Sequence, residues 1–158
     1  MLEAEFAHAR EQHSPLSLVF GDIDRFKRIN DTLGHQAGDV VLKRSAEILR
    51  TCIRGNDLLA RYGGEEFLIV LPGSDQGQAA AVADRVLVRF REARHKIGKA
   101  PEVGVTISLG IAALHDENEF EQLSDLIRAA DYALYRAKEL GRDRWVAYKP
   151  AKDGLFAE

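Results

Sequence analysis

A compact apolar run, Leu16 to Phe20, stops abruptly at Gly21-Asp22-Ile23-Asp24. So short a run suits a strand buried on both faces, and such a strand requires a sheet with a layer packed above and below it. The run also delivers acidic residues at its C-terminal end. A second strand is written in the alternation of Val103, Val105, Ile107, Leu109 and Ile111 with Gly104, Thr106, Ser108 and Gly110, whose period is two.

The covering layers are legible as helical spacing. Leu2, Phe6 and Ala9 predict a short first helix that ends at Ser14-Pro15. Phe26, Ile29 and Leu33 share one face of a second helix closed by Gly34, with the amide of Asn30 set beside that stripe. After a loop, GHQAGD, the residues Leu42, Ala46, Leu49 and Ile53 mark a third helix, closed by Gly55. Asp57 to Ala60 and Phe67 to Leu71 flank Tyr62-Gly63-Gly64 and predict a hairpin with Glu65 and Glu66 at its tip. Asp75 with Gln78 resembles a helix start, continued by Ala79, Ala83, Val86 and Phe90, with a basic end expected in solvent. Leu123, Leu126, Ala130, Ala133 and Ala137 form the last helix, ended by Gly141 and followed by a strand from Arg144 to Tyr148. The order predicts an α/β or α+β sheet covered by helices.

Composition narrows what such a sheet can do. The 158 residues, 46% hydrophobic and 30% charged, suit a single domain over residues 1–158 with a weakly patterned tail from Lys149. Twenty-two basic residues against 25 acidic ones leave a net charge of −3, the wrong sign for wrapping nucleic acid. One cysteine, Cys52, forms no internal disulfide, which is compatible with a reducing compartment. The chain has no apolar run near the roughly 18 residues of a membrane span, and its N-terminus lacks the pattern of a signal peptide. The expected location is cytoplasmic without membrane contact by this chain, whether or not a parent protein is membrane-anchored.

If the first strand and the hairpin are neighbours, Asp22, Glu65 and Glu66 converge at one sheet edge. Mg²⁺ needs only one or two carboxylates plus substrate phosphates, so a nucleotide-metal site is consistent with this set. Taken singly, each acid at a strand end or turn is more readily read as simply solvated.

Three segments, GDIDRFKRINDTLGHQAGD, RYGGEEF and ALYRAKELGRDRW, occur together and in order. Together they resemble the GGDEF family of diguanylate cyclases, over roughly Leu16 to Tyr148. The resemblance implies a palm-like α+β fold, with a central, mostly antiparallel five-stranded sheet flanked by helices and a signature β-hairpin, as in nucleotidyl cyclases. It implies an enzyme that condenses two GTP into cyclic di-GMP and two pyrophosphates, across a homodimer, with Mg²⁺ or Mn²⁺. Asp22, the Ile23 carbonyl, Glu65 and Glu66 match metal positions, Glu65 or Glu66 the base, and Lys27, Lys138 and Arg142 the triphosphate contacts. Asn30 and Asp39 match guanine-recognition positions and His35 a substrate-site position. A carboxylate accepts from both N1–H and the amino group of guanine, whereas adenine offers no such pair, so Asp39 favours GTP. Asp39 also fits a cap for a helix starting at Val40, and Lys138 and Arg142 fit solvated helix cations.

Arg54 and Asp57 reproduce the family's R-x-x-D site for inhibitory product, with Arg85 as partner; a surface ion pair is the plainer reading. Glu65 stands where the family name has aspartate, and the family uses both acids. The D-x-L-T-G-L-x-N-R segment that usually precedes the domain is absent, so the resemblance implies a catalytic fragment, largely monomeric, of a parent with a sensory domain. The alternative is a catalytically silent module that binds GTP or cyclic di-GMP. A cyclase for adenine or mixed dinucleotides is disfavoured by Asp39.

Overall fold

The computed structural model describes residues 1–114 and 120–150. Its elements follow as α1 (Leu2–Gln12), β1 (Leu16–Ile23), α2 (Phe26–Leu33), α3 (His35–Thr51), β2 (Leu58–Arg61), β3 (Glu66–Pro72), α4 (Gln76–Glu92), β4 (Ile107–Leu114), α5 (Leu123–Glu139) and β5 (Trp145–Ala147). The five strands form one open sheet in the order β2-β3-β1-β4-β5. All neighbours are antiparallel except β4 and β5. The palm-like α+β architecture expected from the motifs is therefore the one found. Of the expected tail, residues 151–158 lie outside the described residues.

The apolar run sits where its composition demands, as the central strand, buried at all eight positions. Alternation of side chains along a strand sorts its residues between two cores. Leu16, Leu18 and Phe20 join Leu68, Val70 and Ala112 in the core against α1 and α5. Val19 and Ile23 join Ile69, Ile107 and Leu109 in the core against α2, α3 and α4.

Three expectations are corrected. GHQAGD is not a loop: Gly34, at φ 90, both closes α2 and opens α3, so the chain re-enters helix at His35. Asp39 accordingly lies inside α3 and does not cap it. The alternation from Val103 enters the sheet only at Ile107, opposite Ile23 at the end of β1, while Val103 instead forms a bridge with His95. Finally, the basic end of α4 is not wholly solvated, because Arg91 pairs with Asp143 at 2.9 Å. The proposed start of α4 is present as a reciprocal cap, Gln78 N–H to Asp75 Oδ1 at 2.8 Å and Asp75 N–H to Gln78 Oε1 at 2.9 Å.

Gly110 decides how close α5 lies to the sheet. A Cβ there would sit 2.1 Å from the Ala130 carbonyl oxygen and 2.2 Å from the Leu134 nitrogen, both helix backbone that cannot rotate aside. Gly110→Ala is therefore expected to destabilise the fold by about 2–3 kcal/mol. Chemical denaturation measures it, and unchanged stability would show that α5 moves freely.

His95 is 1% exposed, and neither ring nitrogen has a hydrogen-bond partner among the described residues. Burial, then the charges of Arg44 and Arg94, hold its pKa below the ordinary 6.5. As pH falls through about 6.5, the unfolded chain takes up a proton that the folded chain refuses. Stability is then lost at up to about 1.4 kcal/mol per pH unit from this group, until the lower folded pKa is reached. His95→Phe is expected to flatten the fall in Tm between about pH 7 and 5. Equal falls in parent and variant would exclude His95 as the cause.

Candidate active site

Asp22 and Glu66 are direct cross-strand partners at the end of β1. Both follow the even-numbered row of Phe20 and Leu68, so both belong to the face that α5 covers. This end of the sheet lies between its central strands and not at its lateral edge. Hairpin and strand are also joined by the backbone, Ile23 N–H donating to the Glu65 carbonyl at 3.3 Å. Arg61 clamps the tip by donating from Nη2 to the Gly64 carbonyl at 2.7 Å and from Nε to the carbonyls of Gly63 and Gly64 at 3.2 and 3.0 Å.

The electrostatics are those of crowded acids. Burial raises the Asp22 pKa, opposed by its hydrogen bond and charge contact with Lys138, and assisted by Glu65 and Asp24. Burial likewise raises Glu66, assisted by Asp22 and Asp131. Lys138 Nζ stands 2.6 Å from Asp22 Oδ2, so α5 supplies the countercharge to the strand. All donors here are oxygen, which suits a hard divalent cation. Among the described residues no three His, Cys, Asp or Glu side chains are grouped closely enough to hold a metal on their own, so substrate phosphate or water would complete the coordination.

The remaining expected residues lie on α2, on α3 and just after α5. Lys27 is exposed in the first turn of α2, a turn that no side chain among the described residues caps. Asn30 lies against Gly38, where a Cβ would come 1.9 Å from Asn30 Oδ1. The glycine thus explains how an amide fits beside an apolar stripe. Asp39, one residue on, borders a cavity of about 330 Å³ with Leu42, Lys43, Leu59, Arg61 and Phe67. His35 is exposed at the start of α3. Glu66 borders a separate cavity of about 340 Å³ with Phe20, Tyr62, Ser124, Arg128 and Asp131. Arg142 is half-buried just after α5, and its guanidinium has no hydrogen-bonded or ionic partner among the described residues.

Arg54 and Asp57 form a closed turn, Arg54 N–H donating to Asp57 Oδ2 at 2.8 Å and Asp57 N–H to the Arg54 carbonyl at 3.1 Å. Their side chains do not form the surface ion pair. Arg85 reaches the same corner from α4 but forks onto the Cys52 carbonyl, at 2.8 and 3.1 Å.

Asp24 is the residue that motif reading left without a role. It is 7% exposed and accepts from Ser108 Oγ at 2.6 Å, Thr106 Oγ1 at 2.7 Å and the Asp143 N–H at 3.1 Å. Its signal was present as the two hydroxyls that interrupt the alternation leading into β4.

A palm-like sheet with paired carboxylates at the end of its central strands and a glycine hairpin beside them defines a nucleotidyl-cyclase-like domain. The chain belongs to the GGDEF family: the family model described as diguanylate cyclase, GGDEF domain, matches residues 1–144. It is 35% identical over 149 residues to diguanylate cyclase DosC of Escherichia coli strain K12, covering 94% of this chain and 32% of that protein. It thus spans about a third of the length of that relative. The active GGEEF domain of a diguanylate cyclase from Vibrio cholerae superimposes with a TM-score of 0.85 at 35% identity, covering 95% of this chain and 93% of that one. The GGDEF domain of DgcB from Caulobacter crescentus, solved in complex with c-di-GMP, gives 0.86 at 32% identity, covering 92% and 85%. No helix among the described residues is long and apolar enough to cross a membrane.

Proposed function

We propose that the chain condenses two GTP into cyclic di-GMP and two pyrophosphates. The observation that carries this reading is Asp22 opposite Glu66, with Lys138 on Asp22, in a chain of this family. Mg²⁺ or Mn²⁺ would draw its protein ligands from Asp22, the Ile23 carbonyl, Glu65 and Glu66, with substrate phosphate or water completing the coordination, and when bound it polarises phosphate and hydroxyl. Glu66, its pKa raised by burial and by neighbouring acids, is suited to take the proton of a 3′-hydroxyl; Glu65 is the other candidate. Lys27, Lys138 and Arg142 bind the triphosphate. Guanine is read by Asp39, which borders the cavity beside α3, together with Asn30, and His35 is a further substrate contact.

One chain has one such guanine site and one such set of acids, while the product has two guanosines. Two domains therefore meet about a two-fold axis, so that each 3′-hydroxyl faces the other α-phosphate. The test is initial rate against protein concentration, with GTP and Mg²⁺ saturating and bound product removed. Specific activity is expected to climb with concentration in a sample that is monomeric at rest. Glu66→Gln is expected to lower the rate by about 100-fold or more with the fold intact. GTP binding without turnover by the parent would instead mark the chain as a silent binding module.

The Arg54–Asp57 turn, with Arg85 beside it, is proposed as a product site, since arginines fork onto guanine and phosphate. Arg54 is available for this because its guanidinium has no partner among the described residues. Arg54→Ala is expected to shift inhibition by cyclic di-GMP to higher concentration while the uninhibited rate stays that of the parent. Superimposable inhibition curves would remove the assignment.

A further inference from the structure

The turn after α5 is held in a conformation that its own sequence does not favour. Gly141, Arg142 and Asp143 have φ of 122, 65 and 49. Gly141 is accounted for by the helix stop, in which Arg142 N–H donates to the Ala137 carbonyl at 3.0 Å and Gly141 N–H to that of Lys138 at 3.3 Å. Nothing in that stop requires two further left-handed residues, and neither is glycine. L-residues visit this region at a steric cost, and such strain persists only where the surroundings impose it.

The surroundings are specific. Asp24, two residues beyond Asp22, accepts the Asp143 N–H at 3.1 Å. Arg91 on α4 donates Nε to Asp143 Oδ1 at 2.9 Å and Nη2 to the Asp143 carbonyl at 3.0 Å. Asp143 is thus gripped at its amide, its carbonyl and its side chain from two separate elements. What the grip fixes is the residue before it, Arg142, relative to the strand end that bears Asp22. Asp24 is itself immobilised by Thr106 and Ser108, so the chain of contacts runs from β4 through β1 to the turn.

We infer that Asp24 and Arg91 are positioning residues for anion binding by Arg142: they hold the Gly141–Asp143 turn in its left-handed form and so fix the arginine in place beside the site. This rests on the assignment of Arg142 to the triphosphate. Arg91 lies on a helix with no part in the chemistry and is half-exposed, so its removal leaves the core untouched.

The experiment measures GTP affinity by calorimetry with Mg²⁺ and, separately, KM and kcat. Arg91→Ala is expected to weaken GTP binding and raise KM by about tenfold, with kcat changed much less and Tm close to the parent's. Arg91→Lys keeps the charge but loses the fork, and is expected to resemble Arg91→Ala. Adding Asp143→Gly to Arg91→Ala is the discriminating step, since glycine adopts the left-handed form without strain and keeps its N–H for Asp24. Affinity should recover towards the parent's, an outcome that general destabilisation does not produce. Unchanged affinity in Arg91→Ala, full rescue by Arg91→Lys, or no recovery in the double variant would each overturn the inference. If Arg91→Ala fails to fold, Asp24→Asn with and without Asp143→Gly gives the same comparison. A parent that binds GTP but makes no cyclic di-GMP defeats the cyclase reading alone, because GTP affinity still tests the turn.

Discussion

Asp22 and Glu66 face each other across β1 and β3 on the side covered by α5, and like charges placed opposite one another in a sheet repel. Each carboxylate has its pKa raised first of all by burial. The pair is kept by the strands on which it is mounted. A slip of one residue in β1 would exchange Leu16, Leu18 and Phe20 with Val19 and Ile23 between two different cores, so register is fixed by apolar packing far larger than the repulsion. The repulsion therefore remains in the folded state as a local demand for positive charge.

Helix α5 meets part of that demand, and its approach to the sheet is what allows it. Its buried face is made largely of Ala129, Ala130, Ala133 and Ala137, and opposite it Gly110 presents no side chain. Helix backbone and strand backbone come into near contact, and one turn further on Lys138 reaches Asp22. A larger residue on either surface would move the lysine outward along with the helix. The small residues are thus part of the electrostatics of the site as much as of the core.

Much of this was legible because it is written locally. The apolar run, the glycine hairpin, the Asp75–Gln78 cap and the alanine-rich last helix each announce themselves within a few residues, and together with the motifs they give the sheet. Less legible were features that depend on residues distant in the chain. Gly34 serving two helices turned a predicted loop into the first turns of α3, since nothing in GHQAGD itself distinguishes them. The strand signal from Val103 ran four residues too early because a strand needs a partner, and β1 ends opposite Ile107. Its alternating small and polar residues also do not mark a face in water: Ser108 and Gly110 are committed to Asp24 and to α5. The buried ring of His95, without a hydrogen-bond partner among the described residues, left no trace in sequence at all.

The two aspartates of Gly21-Asp22-Ile23-Asp24 show how far spacing alone can carry an assignment. Separated by two, they leave the strand on the same side, and sequence gives no reason to assign them different duties. Their hydrogen bonds do. Asp24 accepts from two hydroxyls and an amide, and a carboxylate so fully engaged has little capacity left for a cation or a substrate. Asp22 accepts from Lys138 alone among the contacts described, a partner that a phosphate can draw away. One acid is therefore a structural fixture, while the other keeps acceptor capacity open. The fixture also shapes the surroundings of Asp22, because the turn it holds carries Arg142 and begins where the helix bearing Lys138 ends.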